Sequence, residues 1–232
     1  MIGEILSALE ANSLVDNTLI VYTSDHGDHL GEHGLWWKQS FYEESVRVPL
    51  ILSWPGVLPE GERNNHVVSQ LDLNATILDA IGAQGLPRSR GRSFLQLLRE
   101  PNSTPWDDIA FSEYCTDNTS EALTDGLNCP LPGAGSDGWR HRMVRCQEWK
   151  LIYYHGMEPR LFNLKEDPTE MCDLASDPAY RPVRDELTAE VLRDWDPDVV
   201  AVEMAIMEQD QQVLIPWARN VEPPDRFRWN LR

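Results

Sequence analysis

Apolar positions along the chain recur at two different periods, and the change between them divides it. Over Ile2–Asn12, residues Ile2, Ile5, Leu6 and Leu9 fall three and four apart. That spacing predicts one face of a helix, with no capping residue ahead of it. The run Thr18-Leu19-Ile20-Val21-Tyr22-Thr23 is short and rich in β-branched residues, which predicts a buried strand of the parallel kind. A polar, glycine-rich loop follows from Ser24 to Gly34. Val46–Trp54 predicts a second strand, with Pro49 marking an edge, a bulge or an irregular start, and Pro55-Gly56 closing it. Val67–Ile81 predicts a helix with Leu71, Ile77, Leu78 and Ile81 inward, stopped by Gly82.

Past Ile109 the period shortens. Runs at Ile109–Tyr114, Arg142–Cys146, Lys150–Tyr154 and Leu161–Leu164 predict a small antiparallel sheet. Thr116–Gly138, dense in Gly, Pro, Asn and Asp, predicts a long exposed loop. Val183–Trp195 and Val199–Gln211 have the spacing of amphipathic helices. The segment from Val213 carries Pro216, Trp217, Pro223, Pro224 and Trp229 and is expected to be an extended arm, a candidate for holding copies of the chain together. The expected organisation is therefore an α/β part over 1–108, a small antiparallel sheet plus helices over 109–212, and an arm over 213–232.

Charge narrows the partners. The 232 residues carry 38 acidic and 20 basic side chains, a formal net charge of −18. Such a chain repels both the phosphates of nucleic acid and an anionic membrane surface. No apolar run approaches the roughly 18–20 residues that span a bilayer. The opening residues lack the basic and apolar regions of a signal peptide, which favours a cytoplasmic location. Four cysteines without CxxC spacing fit reduced thiols better than a disulfide framework.

The chemistry gathers after the first strand, in Ser24-Asp25-His26-Gly27-Asp28-His29-Leu30-Gly31-Glu32-His33-Gly34-Leu35-Trp36-Trp37-Lys38. Ligand sites in α/β sheets lie beyond the carboxyl ends of strands, where Asp25 and His26 are placed. An adjacent carboxylate and imidazole can reach one divalent cation if the backbone turns sharply, and Gly27 permits such a turn. Two ligands are fewer than a catalytic metal takes, so others must come from elsewhere. The plainer alternative is an Asx turn. Lys38 is a point charge suited to an anionic ester oxygen, or else a solvated surface lysine. His29 and His33 read as hydrogen-bonded loop histidines rather than direct ligands.

This stretch, continued by Gln39-Ser40-Phe41-Tyr42-Glu43-Glu44-Ser45-Val46-Arg47-Val48-Pro49-Leu50-Ile51, resembles the C-terminal signature of sulfatases, members of the alkaline-phosphatase-like superfamily. Gly91-Arg92-Ser93-Phe94-Leu95-Gln96-Leu97-Leu98 resembles the family's GRSL-x-x-LL element. Leu161-Phe162-Asn163-Leu164-Lys165-Glu166-Asp167-Pro168-Thr169-Glu170, with Asp173-Leu174-Ala175, resembles its LFDL-x-x-DP-x-E element. Trp195-Asp196 is similar to choline-sulfatase-type members. The resemblance implies an α/β fold: the C-terminal part of an alkaline-phosphatase-like sandwich, with a small antiparallel-sheet subdomain and a helical tail.

By the same resemblance, Asp25 and His26 are metal ligands for Ca2+ or Mn2+, and Lys38 is the catalytic lysine at the sulfate. Glu43 and Arg47 would support the site. Trp36 and Trp37 would line the substrate pocket, against the alternative that they pack in a core. The implied substrate is a small sulfate ester. The family's nucleophile, a formylglycine made from a C/S-x-P-x-R segment, has no counterpart in these 232 residues, and Cys129-Pro130 has the wrong offset. The chain is therefore expected to be a fragment, inactive alone, with formylglycine in a missing N-terminal part. A phosphonate or phosphate ester hydrolase of the same superfamily and a non-catalytic truncated relative are the alternatives.

Overall fold

In the computed structural model, residues 2–100, 104–116 and 139–221 are described. The expectations for the loop past Thr116, for Cys129, and for the last part of the arm lie outside them. Two compact units divide the chain: 1–112 with 144–151 and 161–174, and 113–143 with 152–160 and 175–232.

The first unit opens with helix α1 (Ile2–Ala11) and strand β1 (Ile20–Thr23). A ribbon of β2 (His29–Leu30) and β3 (Trp36–Trp37) follows, then the single turn α2 (Glu43–Val46) and strand β4 (Leu50–Ser53). β1 pairs with β4 in antiparallel register, Ile20 opposite Ser53 and Thr23 opposite Leu50. The expected buried parallel strand is thus corrected. A two-stranded ribbon can cover only part of its apolar surface, so Val21, Leu50 and Leu52 pack inward while Tyr22 and Ile51 stay exposed.

Helix α3 (Gln70–Ala80) starts at a capping box, in which the Ser69 side chain and Asp72 serve each other's backbone. Its inward face also differs from expectation: Leu71, Ile77 and Ile81 are exposed, whereas Asp72, Leu73 and Thr76 are buried. The reason lies in the segment that lands on it. Gly91 runs so close to the Leu71 carbonyl that a Cβ would collide. The Arg92 amide then donates to Asp72, and the Phe94 amide donates to Thr76 Oγ1 at 2.9 Å. Phe94 and Leu97, at the start and inside of α4 (Leu95–Arg99), join Leu73 in the core. The Gly-Arg-Ser-Phe element is therefore a latch on α3.

Strands β5 (Ile109–Thr116), β6 (Trp139–Cys146), β7 (Trp149–Tyr154) and β8 (Arg160–Asn163) form the expected four-stranded sheet in sequence order. Its centre is dry: Val144, Leu151, Ile152, Leu161 and Phe162 are at most 1% exposed. In the second unit, α5 (Arg181–Leu192) buries Leu187 and Val191. There the buried Arg142 guanidinium donates to the Val191 carbonyl at 2.8 Å and to Asp194 at 2.9 Å. Helix α6 runs from Pro197 to Val221. Val213–Val221 is thus helical where an extended arm was expected, and Pro216 is carried inside the helix. Cys115 and Cys172 are free thiols. Among the described residues no helix is long and apolar enough to cross a membrane.

Candidate metal and sulfate site

The loop after β1 brings Asp25, His26 and Lys38 together, as the sequence spacing predicts. Ser24 Oγ donates to the His26 carbonyl at 2.7 Å, and Gln70 on α3 donates to the Ser24 and Asp25 carbonyls at 2.8 and 3.0 Å. These bonds fix the backbone, while the Asp25 side chain remains 83% exposed. Desolvation pushes the Asp25 carboxyl up, but its own amide and that of His26, with the charges of His26 and Lys38, together hold it below the ordinary aspartate value.

His26 is set for ligation by its other nitrogen. Nδ1 lies 2.8 Å from the Gly27 carbonyl, which can only accept, so Nδ1 carries the proton and Nε2 the lone pair. Lys38 Nζ donates to that Nε2 at 2.8 Å, and Asp25 Oδ2 is 3.4 Å from it. A cationic group already occupies the direction in which a metal would be bound. Imidazole Nε2 and a carboxylate oxygen are a chemically fitting pair for a divalent ion, which would displace the ammonium from the lone pair. The pair makes up only part of a coordination shell.

Gly27 contributes differently from expectation. It needs no positive φ; it needs absence of a side chain, because a Cβ there would meet the Glu44 carbonyl oxygen. Its amide donates to the Ser45 carbonyl at 2.8 Å. The loop after β1 is thus laid directly on the turn of α2.

Trp36 and Trp37 are not core residues. They sit on the β2–β3 ribbon, opposite Leu30 and His29, and are 63% and 61% exposed. His29 is buried, with Nε2 2.6 Å from Ser40 Oγ. His33 stacks on Tyr42, with centroids 3.9 Å apart, and its Nε2 is 3.8 Å from Glu44. Among the described residues, the one set of three histidine and carboxylate donors within 4.8 Å of each other is His33, Glu44 and Glu170, not the Asp25–His26 pair.

Glu170 belongs to a buried ionic group that sequence reading missed. Lys150 on β7 is fully buried, with Nζ 2.6 Å from Glu43 Oε1, 2.8 Å from Glu170 Oε1 and 3.0 Å from the Phe41 carbonyl. Glu170 Oε2 accepts the Glu43 amide at 2.6 Å. Burial pushes the Glu170 carboxyl above its usual range, against the pull of Lys150 and that amide. Glu43 thus joins this group through both its side chain and its amide, whereas Arg47 lies 4.0 Å from it and is 77% exposed. The available signal was a lysine inside an apolar strand run.

The loop thus sets an Asp-His pair at a strand end with a lysine against the imidazole, in an α/β framework. The sulfatase family model matches residues 1–83. N-acetylglucosamine-6-O-sulfatase of Bacteroides thetaiotaomicron is 31% identical over 207 residues, 85% of this chain and 34% of that protein. Choline-sulfatase of Rhizobium meliloti is 30% identical over 217 residues, 89% of this chain and 37% of that one. The crystal structure of the phosphonate monoester hydrolase of Agrobacterium radiobacter superposes with a TM-score of 0.70 at 27% identity, covering 82% of this chain and 37% of that chain. The chain thus belongs to the sulfatases of the alkaline-phosphatase-like fold and matches the C-terminal part of its relatives. It spans about a third of the length of these curated relatives.

Proposed function

We propose that this chain supplies the part of a sulfatase-type hydrolase that holds the metal from one side and meets the ester's bridging oxygen. The observation that carries this reading is the His26 ring, with Nδ1 committed to a carbonyl and Nε2 held by Lys38 beside Asp25. Asp25 and His26 ligate one divalent ion, Ca2+ or Mn2+, and the single imidazole favours Mn2+ over Ca2+, which takes all-oxygen shells. When bound, that ion polarises the ester oxygens. Lys38, displaced from Nε2, donates to the leaving oxygen as negative charge develops there. Trp36 and Trp37 offer exposed aromatic faces at the same end of the loop, suited to an apolar or cationic part of the substrate.

The nucleophile and the remaining ligands are not assigned to these 232 residues, so turnover is a property of the chain together with a formylglycine-bearing part. The substrate class is a small sulfate monoester; a sugar sulfate is favoured by the N-acetylglucosamine-6-O-sulfatase relative and choline sulfate by the choline-sulfatase relative. A phosphonate monoester is the second reading, favoured by the likeness to the phosphonate monoester hydrolase structure. The test is the ratio of kcat/KM on an aryl sulfate to that on an aryl phosphonate in the assembled enzyme. Replacing Lys38 by Ala should cost roughly 10²–10³ in kcat, as loss of a charge stabiliser does. Unchanged rates in both Lys38→Ala and Asp25→Ala would overturn the hydrolase reading and leave a non-catalytic relative.

A further inference from the structure

The ionic group around Lys150 ends on the same atoms that set the metal loop. The Lys150 ammonium grips the Phe41 carbonyl and both Glu43 and Glu170, while Glu170 also takes the Glu43 amide. These contacts fix the start of α2 from both its backbone and its side chain. Two residues on, Ser45 Oγ donates to the Lys38 carbonyl, and the Ser45 carbonyl receives the Gly27 amide at 2.8 Å. The neighbouring Glu44 carbonyl is the surface on which Gly27 lies without room for a Cβ. From Lys150 outward, ion pairs, hydrogen bonds and the short turn of α2 lead to the backbone of Lys38 on one branch and of Gly27, next to His26, on the other.

We infer that Lys150, with Glu43, Glu170 and Ser45, is a positioning residue for the metal and sulfate loop. The inference rests on the reading of Asp25 and His26 as ligands and of Lys38 as their neighbour at the ester. An apolar side chain of similar volume would fill the space of Lys150 and often matches a buried ion pair in stability. What it cannot do is hold a carbonyl and two carboxylates from separate segments at one point. That point fixes α2 against the rest of its unit, and α2 fixes where Lys38 Nζ and His26 Nε2 meet. The role requires the three donor directions of an ammonium rather than bulk.

The test uses the full 232-residue chain and Mn2+ as the probe, followed by NMR. Three proteins are compared: the unaltered chain, Lys150→Met/Glu170→Gln, and Ser45→Ala. The double variant removes the two fully buried charges together, so Glu170 is not left charged in a dry site, while Glu43, which keeps its charge, is 21% exposed and reaches water. Ser45→Ala cuts the relay to Lys38 downstream and leaves the ionic group in place. Expected in both variants is a rise of about tenfold or more in the Mn2+ concentration that half-broadens His26, the usual cost of losing an outer-shell partner. Gly27 amide exchange should accelerate by a similar factor, with Val144 and Leu151 protected as before.

An unchanged Mn2+ midpoint and unchanged Gly27 exchange in both variants would overturn the inference. Loss of protection throughout the double variant moves the decision to Ser45→Ala, where the same two readouts apply. If Mn2+ leaves His26 unbroadened in the unaltered chain, the ligand reading fails, and Gly27 exchange alone decides whether Lys150 positions the loop.

Discussion

Two trios of charged groups lie in the first unit, and they follow opposite rules. Asp25, His26 and Lys38 are open to water and held mainly through their backbones. Lys150 and Glu170 are dry and Glu43 is half-buried beside them, and the three are held by charges and backbone dipoles. In water a charge pair is worth little and exchanges partners readily, so the contacts of the first trio open and re-form at small cost. In the interior the same kind of pair cannot be opened without leaving an uncompensated charge, so the second holds geometry. On the proposed function, chemistry is placed on the wet trio and rigidity on the dry one.

The largest effect is expected where that contrast is broken at its dry end. Lys150→Met alone should cost about 3–5 kcal/mol in urea unfolding, because two carboxylates lose their common partner. The double variant Lys150→Met/Glu170→Gln should recover most of that loss. Equal cost in single and double variants would show that bulk, not charge, is what the site requires. Next comes Gly27→Ala, where the new methyl meets the Glu44 carbonyl; overpacking of this kind costs about 1–3 kcal/mol. It should also shift the His26 ring resonances, since the loop must lift off α2.

Acid should separate the trios in sign. The Glu170 carboxyl is raised in the folded chain, mainly by burial. The folded state therefore holds that proton more tightly than the unfolded one. Its contribution to stability is fully present below the unfolded glutamate value and is lost as pH rises through the folded one. Glu170→Gln should accordingly gain on the unaltered chain between pH 4 and pH 7 in urea midpoint. Asp25 is lowered, so its contribution is present above the unfolded aspartate value and lost as pH falls through the folded one. Asp25→Asn should show a difference that shrinks with acid, the reverse slope.

The smallest effect on stability belongs to Lys38→Met, an exposed change expected to move Tm by less than about 2 °C. Its effect on Mn2+ binding at His26 should run the other way from that of the Lys150 variant. Removing the ammonium frees the Nε2 lone pair, so the half-broadening concentration should fall. A rise would mean that Lys38 organises the ligands rather than competing for one.

The sequence by itself determined the elements and the wet trio. The four short runs after Ile109 became β5–β8, the opening period became α1, and the spacing from Asp25 to Lys38 placed its side chains in contact. Such features depend on neighbours within a few residues, or within one loop, where backbone propensity and reach decide the outcome. The helix of Val199–Gln211 was legible too, but its continuation to Val221 was not, since prolines ahead suggested an extended chain.

Only the tertiary structure decided the direction of β1 against β4, the buried face of α3 and the dry trio. An apolar run does not say which strand it pairs with. A helix with apolar residues on two sides does not say which side meets a core, and here the latch of Gly91–Phe94 chose Leu73 and Thr76 over Leu71 and Ile77. Lys150 and Phe41 stand 109 residues apart, and Glu43 and Glu170 127 apart. No local pattern encodes such a meeting. It exists because an ammonium buried in a strand has to find acceptors, and folding delivers them from wherever the chain returns.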